Sequence, residues 1–238
     1  MEFIQAPTEE NNLVPNSNVA NLMQRTTLND GSNDNIIDNS NCFNVQLPVT
    51  VYVNGIEITI YDDSDFDSVE FIFDEFDDDT DSIYFIFPIT IIMDDFTEII
   101  ISDISEFNSY SSNCNGENEY DDDIECIDFQ FPISASIFNI NNELIDTVTF
   151  SNDIDLYNFI ENINEDDIIN LNFPITVILS DGSELIMNSL EQLENTIEAY
   201  ESDCDEDDDY DYNDDDCMGC TQQQVLEILT TCSDWTVD

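Results

Sequence analysis

The chain has 238 residues, of which 57 are acidic and only one, Arg25, is basic, so its formal net charge is −56 at pH 7. A single cation cannot neutralise a row of phosphates, which excludes nucleic acids and anionic membrane surfaces as partners. The sequence contains no histidine and no lysine, which excludes His-assisted nucleophilic catalysis, Schiff-base chemistry and a P-loop. Hydrophobic residues still make up 41% of the chain. Because they are patterned, they predict a folded core inside an acidic surface.

Residues 1–41 are rich in Asn, Thr, Ser and acid and contain few apolar residues. This composition predicts a flexible N-terminal tether, with at most a short helix around Val19, Leu22 and Met23. No run of 18 apolar residues occurs anywhere in the chain, so we expect no transmembrane segment.

A proline motif recurs four times between residues 42 and 204. Each copy has an apolar residue, proline, a second apolar residue and a hydroxyl residue, and the prolines lie 40, 44 and 42 residues apart. Such even spacing indicates an internal repeat of about 42 residues. The four copies are Leu47-Pro48-Val49-Thr50, Phe87-Pro88-Ile89-Thr90, Phe131-Pro132-Ile133-Ser134 and Phe173-Pro174-Ile175-Thr176.

Each copy lies in a segment where apolar residues alternate with period two, which predicts a long strand with one face in a core. A tight turn follows, as at Asn54-Gly55, and predicts a hairpin in which Val53 lies opposite Ile56. Apolar residues at helical spacing come next, as at Leu190 and Leu193. The sequence therefore predicts an α+β fold of four tandem ββα repeats.

One ββα repeat is too small to bury its own apolar face. We therefore expect the repeats to pair into two (ββα)2 domains, each an antiparallel four-stranded sheet with helices on one face. The predicted first domain is 42–125, with repeats 42–82 and 83–125. The predicted second domain is 126–204, with repeats 126–168 and 169–204.

Seven cysteines complete this pattern. Cys42 opens the first repeat and Cys114 follows the second helix, while Cys126 and Cys204 occupy the same positions in the second pair. We therefore predict the disulfides Cys42–Cys114 and Cys126–Cys204 and an oxidising compartment. Free thiols in the cytosol, or a zinc site at the Cys-x-x-Cys of residues 217–220, are the alternatives.

The C-terminal part differs in composition from the repeats. Residues 205–216 form an acidic linker, and residues 217–238 predict a helical stub. Cys220 and Cys232 bracket that helix and can pair with each other, which leaves Cys217 without a predicted partner.

Several stretches spread over nearly the whole chain form a distinctive combination. They are residues 25–35 (RTTLNDGSNDN), 41–42, 47–51 with 53–55, the later Phe-Pro-Ile motifs, and 220–235. Their order resembles an uncharacterised group of secreted, lipid-anchored acidic repeat proteins of marine flavobacteria-type bacteria. In that group a lipoprotein signal precedes the tether and a further β-rich region follows the tryptophan. The resemblance implies an extracellular or cell-surface location, with outer-membrane anchoring if such a signal exists upstream, but no activity.

Acidic residues crowd into several short segments, none of which matches an EF-hand. Ca²⁺ takes six to eight oxygen ligands, often carboxylates of one loop, so we expect divalent cations as partners and Ca²⁺ as a candidate cofactor. The alternative is a solvated surface whose repulsion is screened by dissolved salt. The candidate ligands are Asp62, Asp63, Asp65, Asp67, Asp205, Asp207, Asp209 and Asp211, with further acidic runs at residues 77–81 and 121–123.

We expect a non-catalytic extracellular or cell-surface protein with a structural or interaction role, stabilised by divalent cations. No catalytic residue is predicted, because the aromatic platforms that a two-carboxylate glycosidase needs are dispersed. The rival function is a surface carbohydrate- or protein-binding module of a lipid-anchored uptake or adhesion system. Tyr84, Ile86, Ile92 and Ile100 form its candidate patch on the outward side of the second repeat, where we expect them to pack against the neighbouring domain.

Overall fold

The structure is a computed structural model and describes residues 7, 11–75, 80–112, 114, 123–164 and 166–201. These residues have a mixed α+β fold with six α-helices and several small antiparallel sheets. No helix in these ranges is long and apolar enough to cross a membrane. The predicted linker 205–216 and helical stub 217–238 lie outside the described residues.

The helices are α1 (Asn18–Arg25), α2 (Asn35–Asp38), α3 (Phe66–Phe73), α4 (Ile104–Ser111), α5 (Asp153–Glu161) and α6 (Leu190–Glu201). The strands up to α4 are β1 (Asn12–Leu13), β2 (Phe43–Val45), β3 (Val49–Val53), β4 (Ile56–Ile60), β5 (Ile83–Phe85), β6 (Ile89–Met93) and β7 (Glu98–Ile101). The later strands are β8 (Ile127–Phe129), β9 (Ile133–Phe138), β10 (Leu144–Phe150), β11 (Ile168–Leu171), β12 (Ile175–Leu179) and β13 (Glu184–Met187).

The predicted long strand of each repeat is interrupted at its proline. A short strand such as β2 ends before Pro48, and a second strand, β3, begins after it. Proline has no N–H to donate to a ladder, so pairing cannot run through this position. The same succession of strand, cis-proline, strand, strand and helix occurs four times, at Pro48, Pro88, Pro132 and Pro174.

The interruption sends each short strand into the neighbouring sheet. In the first half β2 pairs with β6 and β5 pairs with β3, and in the second half β8 pairs with β12 and β11 pairs with β9. The expected four-stranded sheet of two complete hairpins is therefore wrong. The observed sheet orders are β4-β3-β5, β2-β6-β7, β13-β12-β8 and β10-β9-β11-β1.

The hairpins themselves form in the predicted register. Val53 lies opposite Ile56 across the turn at Asn54 and Gly55. Both turn residues have positive φ, 48° and 83°, which a two-residue hairpin turn of this class requires. Val177 lies opposite Leu185 in the same way.

Two hydrophobic cores lie beneath these sheets. The first core combines the inner faces of β2–β7 with α3 and α4, and its largest fully buried members include Phe43, Ile60 and Ile91. The second core combines β8–β13 with α5 and α6, and includes Ile127 and Leu193.

The prediction of a flexible tether is wrong for residues 11–41. β1 pairs antiparallel with β11 at the edge of a sheet, and α1 packs against α5 and α6. The expected short helix is α1, and Leu22 and Met23 are buried in the second core. Few residues here are apolar, but those few share one helix face, which is sufficient to anchor the segment.

We expect Leu13→Ala to lower the free energy of unfolding by about 3 kcal/mol, because truncating a buried leucine loses its contacts and leaves a cavity. Leu13 is only 1% exposed. The neighbouring Val14→Ala is the control, since Val14 is 49% exposed and should change the unfolding free energy by less than about 0.5 kcal/mol. Urea denaturation measures both, and equal effects would contradict the anchoring of this segment.

Candidate metal centre

Most buried polar side chains of the described chain are concentrated between residues 26 and 41. Several of them are hydrogen-bonded, as buried polar groups require: the Thr26 and Thr27 hydroxyls donate to the Leu22 and Met23 carbonyls, and Asp38 accepts from the Ser40 N–H. We call residues 26–41 together with 123–128 the polar junction. Its buried polar members are Thr26, Thr27, Ser32, Asp34, Asp38, Ser40, Asn41 and Asp123.

The polar junction is hydrogen-bonded to both halves of the chain. The Asn29 N–H donates to the Asp94 carbonyl at 2.9 Å in the first half, and the Ser180 N–H in the second half donates to the Cys126 carbonyl at 3.3 Å. Gly31 lies so close to the backbone near Asn41 that an added Cβ would be 2.2 Å from the Asn41 carbonyl oxygen. Only glycine fits this close approach of two backbones.

A disulfide fixes the end of the polar junction. Cys42 is bonded to Cys114, with Cα atoms 5.3 Å apart, and this confirms the first predicted pair. The Asn41 N–H also donates to the Cys114 carbonyl at 2.9 Å. Cys126 is disulfide-bonded as well. Its predicted partner Cys204, together with the predicted Cys220–Cys232 pair, lies outside the described residues.

Three carboxylates converge in the polar junction. One ligand oxygen from each of Asp30, Asp123 and Glu125 lies within 4.8 Å of the other two. Two oxygens on opposite sides of one Ca²⁺ ion, each bound at 2.3–2.6 Å, lie about 5 Å apart. The spacing of the three carboxylates is therefore compatible with a shared calcium ion. We call these three residues the carboxylate cluster.

Ser32 adds an oxygen beside the carboxylate cluster. Its hydroxyl lies 2.7 Å from Asp30 Oδ1 and 3.3 Å from Glu125 Oε1, and its N–H donates to the same Asp30 oxygen at 2.8 Å. The Asn33 side-chain amide donates to Asp30 Oδ2 at 2.7 Å. These donors orient Asp30, and a hydroxyl oxygen is a ligand that a hard cation accepts.

Two further carboxyl groups of the polar junction, Asp34 and Asp38, are buried. The Val45 N–H and the Asn44 amide donate to Asp34 at 2.7 and 3.0 Å. Burial raises the pKa of Asp34 to about 7, although these hydrogen bonds act in the opposite direction. Burial, with repulsion from Asp34, also raises the pKa of Asp38 well above its usual range. Both groups thus resist ionisation in the folded protein.

Repulsion between carboxylates also affects Asp128 and Asp153. Burial, and then the charge of Asp30, raises the pKa of Asp128. Burial, and then the charge of Asp128, raises the pKa of Asp153 to about 6. A cation at the carboxylate cluster would reduce this repulsion, because an opposite charge favours the ionised form of nearby carboxyl groups.

The predicted ligands Asp62, Asp63, Asp65 and Asp67 do not form a group of three close ligand atoms in the described part of the chain. Two of them instead accept hydrogen bonds from nearby backbone N–H groups. Asp62 accepts from the Ser64 N–H at 3.1 Å, and Asp65 accepts from the Tyr61 N–H at 2.7 Å. The candidates Asp205, Asp207, Asp209 and Asp211 lie outside the described residues.

Sequence reasoning had singled out Asp123 within an acidic run but missed Asp30 and Glu125. Asp30 and Asp123 are 93 residues apart, and nothing local indicates that the fold brings them together. The only available signal was the alternation of oxygen-bearing residues at Asp30, Ser32 and Asp34, which is also the spacing of calcium-binding loops.

The predicted outward patch is divided by the strand exchange. Tyr84 and Ile86 lie with the β4-β3-β5 sheet, whereas Ile92 and Ile100 belong to the β2-β6-β7 sheet. Tyr84 is 63% exposed and Ile100 is 70% exposed. The expectation of packing against the neighbouring domain is therefore wrong for Tyr84, Ile86 and Ile100, which are exposed, whereas Ile92 is half-buried.

The carboxylate cluster and the exposed patch are the two features that bear on function. Both have to be interpreted from their own chemistry. No family model matches the chain, and no curated protein or solved structure is significantly similar to it.

Proposed function

We propose that this chain is a non-catalytic extracellular or cell-surface protein with a structural or interaction role, stabilised by divalent cations and by Ca²⁺ in particular. The observation that carries the proposal is the convergence of Asp30, Asp123 and Glu125. They lie where the N-terminal segment meets both halves of the chain, so an ion bound there would join parts distant in sequence.

The overall charge supports a requirement for cations. A net charge of −56 with one basic residue produces self-repulsion that opposes the compact state. Arg25 contacts Glu201 and is the only basic side chain in the sequence. Neutralisation must therefore come mainly from dissolved ions, and multivalent cations are more effective than monovalent ones at a site with several carboxylates.

We also propose that the chain consists of four ββα repeats paired into two (ββα)2 domains, at 42–125 and 126–204. The proposal is supported by the fourfold succession around the prolines and by the exchange of the short strand within each pair. This exchange makes each pair the smallest unit with complete sheets, as expected when one repeat cannot bury its apolar face.

The non-catalytic part of the proposal is supported by the composition of the chain. Without histidine or lysine, acid–base chemistry would fall to carboxyl groups. Among the described residues that line a cleft of 460 Å³ beside α6, Glu191 is the one carboxylate. A smaller cleft of 240 Å³ includes two carboxyl groups, Asp34 and Asp63, of which Asp34 already accepts hydrogen bonds from Val45 and Asn44.

An extracellular or cell-surface location is supported by the Cys42–Cys114 disulfide, because structural disulfides persist in oxidising compartments. The resemblance to lipid-anchored acidic repeat proteins adds outer-membrane attachment to the proposal. Secretion can be tested by expressing the gene in its own host and locating the protein by cell fractionation. Recovery in the cytosol with free thiols would contradict this location.

Thermal melting tests the cation proposal. We expect millimolar calcium to raise the melting temperature by about 5–10 °C over a chelator at the same ionic strength, because a ligand that binds only the folded state stabilises it. Asp30→Asn and Glu125→Gln should each remove most of this difference.

Asp67→Asn is the matched control for these variants. It also removes one negative charge, but Asp67 is exposed and does not belong to the carboxylate cluster. The calcium response should therefore persist in this variant. If calcium and sodium give the same midpoint at fixed ionic strength, general screening is sufficient and the site is not needed.

The second candidate function is a surface carbohydrate- or protein-binding module of a lipid-anchored uptake or adhesion system. One observation favours it, the exposure of the aromatic ring of Tyr84 on a sheet face beside Tyr52. A glycan array tests the carbohydrate version of this function. Binding that is lost in Tyr84→Ala but kept in Tyr61→Ala, another exposed tyrosine, would support a carbohydrate-binding face.

A further inference from the structure

We propose that the outer edge of β5, residues Ile83–Phe85, binds an extended segment of a partner protein that adds to the sheet as a further antiparallel strand. The proposal does not depend on the cation site. It rests on a comparison between two equivalent sheet edges within the chain, of which one is covered and the other is open.

The covered edge belongs to β11 in the second half. β11 pairs with β9 on one side and with β1 on the other, where Leu13 lies opposite Ile169. The Ile169 N–H also donates to the Asn12 side chain at 3.1 Å. The N-terminal segment therefore supplies an added strand to this edge, and Leu13 is buried in the core beneath it.

The open edge belongs to β5, which occupies the same position in the first half. β5 pairs with β3 as β11 pairs with β9, and aligning Pro88 with Pro174 places Tyr84 at the position of Asn170. β5 is the outer strand of its sheet in the order β4-β3-β5. No described strand covers it.

Exposure differs accordingly between the two edges. Asn170 is 8% exposed, whereas the equivalent Tyr84 is 63% exposed. Ile169 and Leu171 are buried, whereas Ile83 and Phe85 are half-buried. The apolar side chains of β5 thus retain exposed surface that an added strand would bury. In strand addition this burial supplements the main-chain hydrogen bonds that give the affinity.

No residue of the described chain is hydrogen-bonded to the backbone of β5 on its outer side. The Asn54 N–H donates to the Ser82 carbonyl at 2.8 Å and the Ile86 N–H donates to the Thr50 carbonyl at 3.0 Å. Even-numbered residues therefore direct their backbone groups towards β3. By alternation, Ile83 and Phe85 direct theirs outwards, as a template for another strand.

At the outer edge of β2, by contrast, a side chain occupies the position of an added strand. There the Val45 N–H donates to the buried carboxylate of Asp34 at 2.7 Å. An acidic side chain thus takes the place of a neighbouring strand. No such contact covers Ile83–Phe85 within the described chain.

The chemistry of the occupant follows from the covered edge and from the charge. On β11 the added strand inserts one large apolar side chain, Leu13, into the core, so the partner segment needs one such residue at the equivalent position. A chain of net charge −56 attracts a basic segment and repels a second copy of itself. The occupant is therefore an extended basic segment of a different protein.

Peptide binding to the full chain tests this proposal. The probe is a fluorescent peptide with the sequence of residues 11–14, Asn-Asn-Leu-Val, between pairs of lysines, measured by anisotropy at physiological ionic strength. A second peptide with Gly in place of Leu has the same charge and should bind about tenfold more weakly. Two further peptides are N-methylated at alternate residues, one at the odd and the other at the even positions. The peptide whose methylated amides would face β5 should bind weakly, because N-methylation removes strand hydrogen bonds without altering the protein.

Two matched protein variants locate the site. Ile83→Pro removes an outward N–H of β5 and should weaken binding about tenfold, since proline is tolerated on an edge but cannot donate. Ile100→Pro is the control, because Ile100 is a strongly exposed residue of the edge strand β7, and it should leave binding unchanged. Thermal melting of both variants establishes that they fold.

Hydrogen exchange gives a readout that does not need a variant. The amides of Ile83 and Phe85 should exchange rapidly in the free protein and slowly with the leucine peptide bound. Protection already present in the free protein would show that the chain covers this edge itself and would overturn the proposal. Equal binding of the leucine and glycine peptides, or dimerisation through this edge, would overturn it as well.

Discussion

Removing the Cys42–Cys114 disulfide is expected to lower the free energy of unfolding by about 4 kcal/mol. The two cysteines are 72 residues apart, so the bridge closes a long loop. In the chain-entropy description, the loss of such a cross-link restores a large freedom to the unfolded chain. The double variant Cys42→Ser with Cys114→Ser avoids an unpaired thiol and can be measured by urea denaturation.

The wild-type protein provides the control for this prediction. The oxidised wild-type protein, with the bridge intact, should unfold at a clearly higher urea concentration than the double variant. Reducing the Cys42–Cys114 bridge with a reductant should lower the urea midpoint of the wild-type protein, whereas the variant has no such bridge to lose. Ionic strength has to be held constant, because the acidic chain responds to salt. Equal midpoints of wild type and variant would mean that the bridge does not stabilise the fold.

Stability is expected to fall as the pH rises from about 4 to about 7, with Asp34 as the largest single contributor. The pKa of Asp34 is raised from 3.8 to about 7 in the folded protein. A raised carboxyl pKa means that the folded state retains a proton that the unfolded state has lost. Its stabilising contribution is therefore complete below pH 3.8, declines above it and is lost once the pH has passed about 7.

This pH effect is large for one residue. Between pH 5 and pH 8 the ionisation of Asp34 should cost about 3 kcal/mol of unfolding free energy, at roughly 1.4 kcal/mol per pH unit. Asp38 acts in the same direction, because burial also raises its pKa. Urea denaturation at pH 5 and pH 8, at fixed ionic strength and with chelator present, measures the difference.

Asp34→Asn separates this residue from general repulsion. The amide cannot ionise, so this variant should lose much less stability between pH 5 and pH 8 than the wild-type protein. Asp67→Asn, on the exposed surface, should keep the wild-type dependence. If Asp34→Asn and wild type show the same slope, the pH dependence comes from the acidic surface as a whole.

Some features of this fold could be predicted from the sequence because they depend on residue patterns and on interactions between residues close together in the chain. Period-two alternation and the Asn54-Gly55 turn determine the hairpin register, which the structure confirms. The equivalent placing of cysteines predicted the Cys42–Cys114 bridge, which is also present. Helix N-caps are equally local: the Asp103 and Asn152 side chains accept from backbone N–H groups in the first turns of α4 and α5.

The features that failed depend on contacts distant in sequence. Alternation shows that a strand has one buried face, but it does not indicate which sheet the strand joins, so the exchange of β2 and β5 could not be predicted. The low apolar content of residues 1–41 concealed the single buried face of α1. The carboxylate cluster was missed for a similar reason, because Asp30 is far from Asp123 and Glu125 in the sequence and only the fold brings them together.

Calcium titration by calorimetry, at high and constant ionic strength, tests the role of the polar junction most directly. We predict saturable binding by the wild-type protein and by Asp67→Asn, and its loss in both Asp30→Asn and Glu125→Gln. Binding of equal affinity and stoichiometry in all four proteins would contradict a calcium site at the carboxylate cluster.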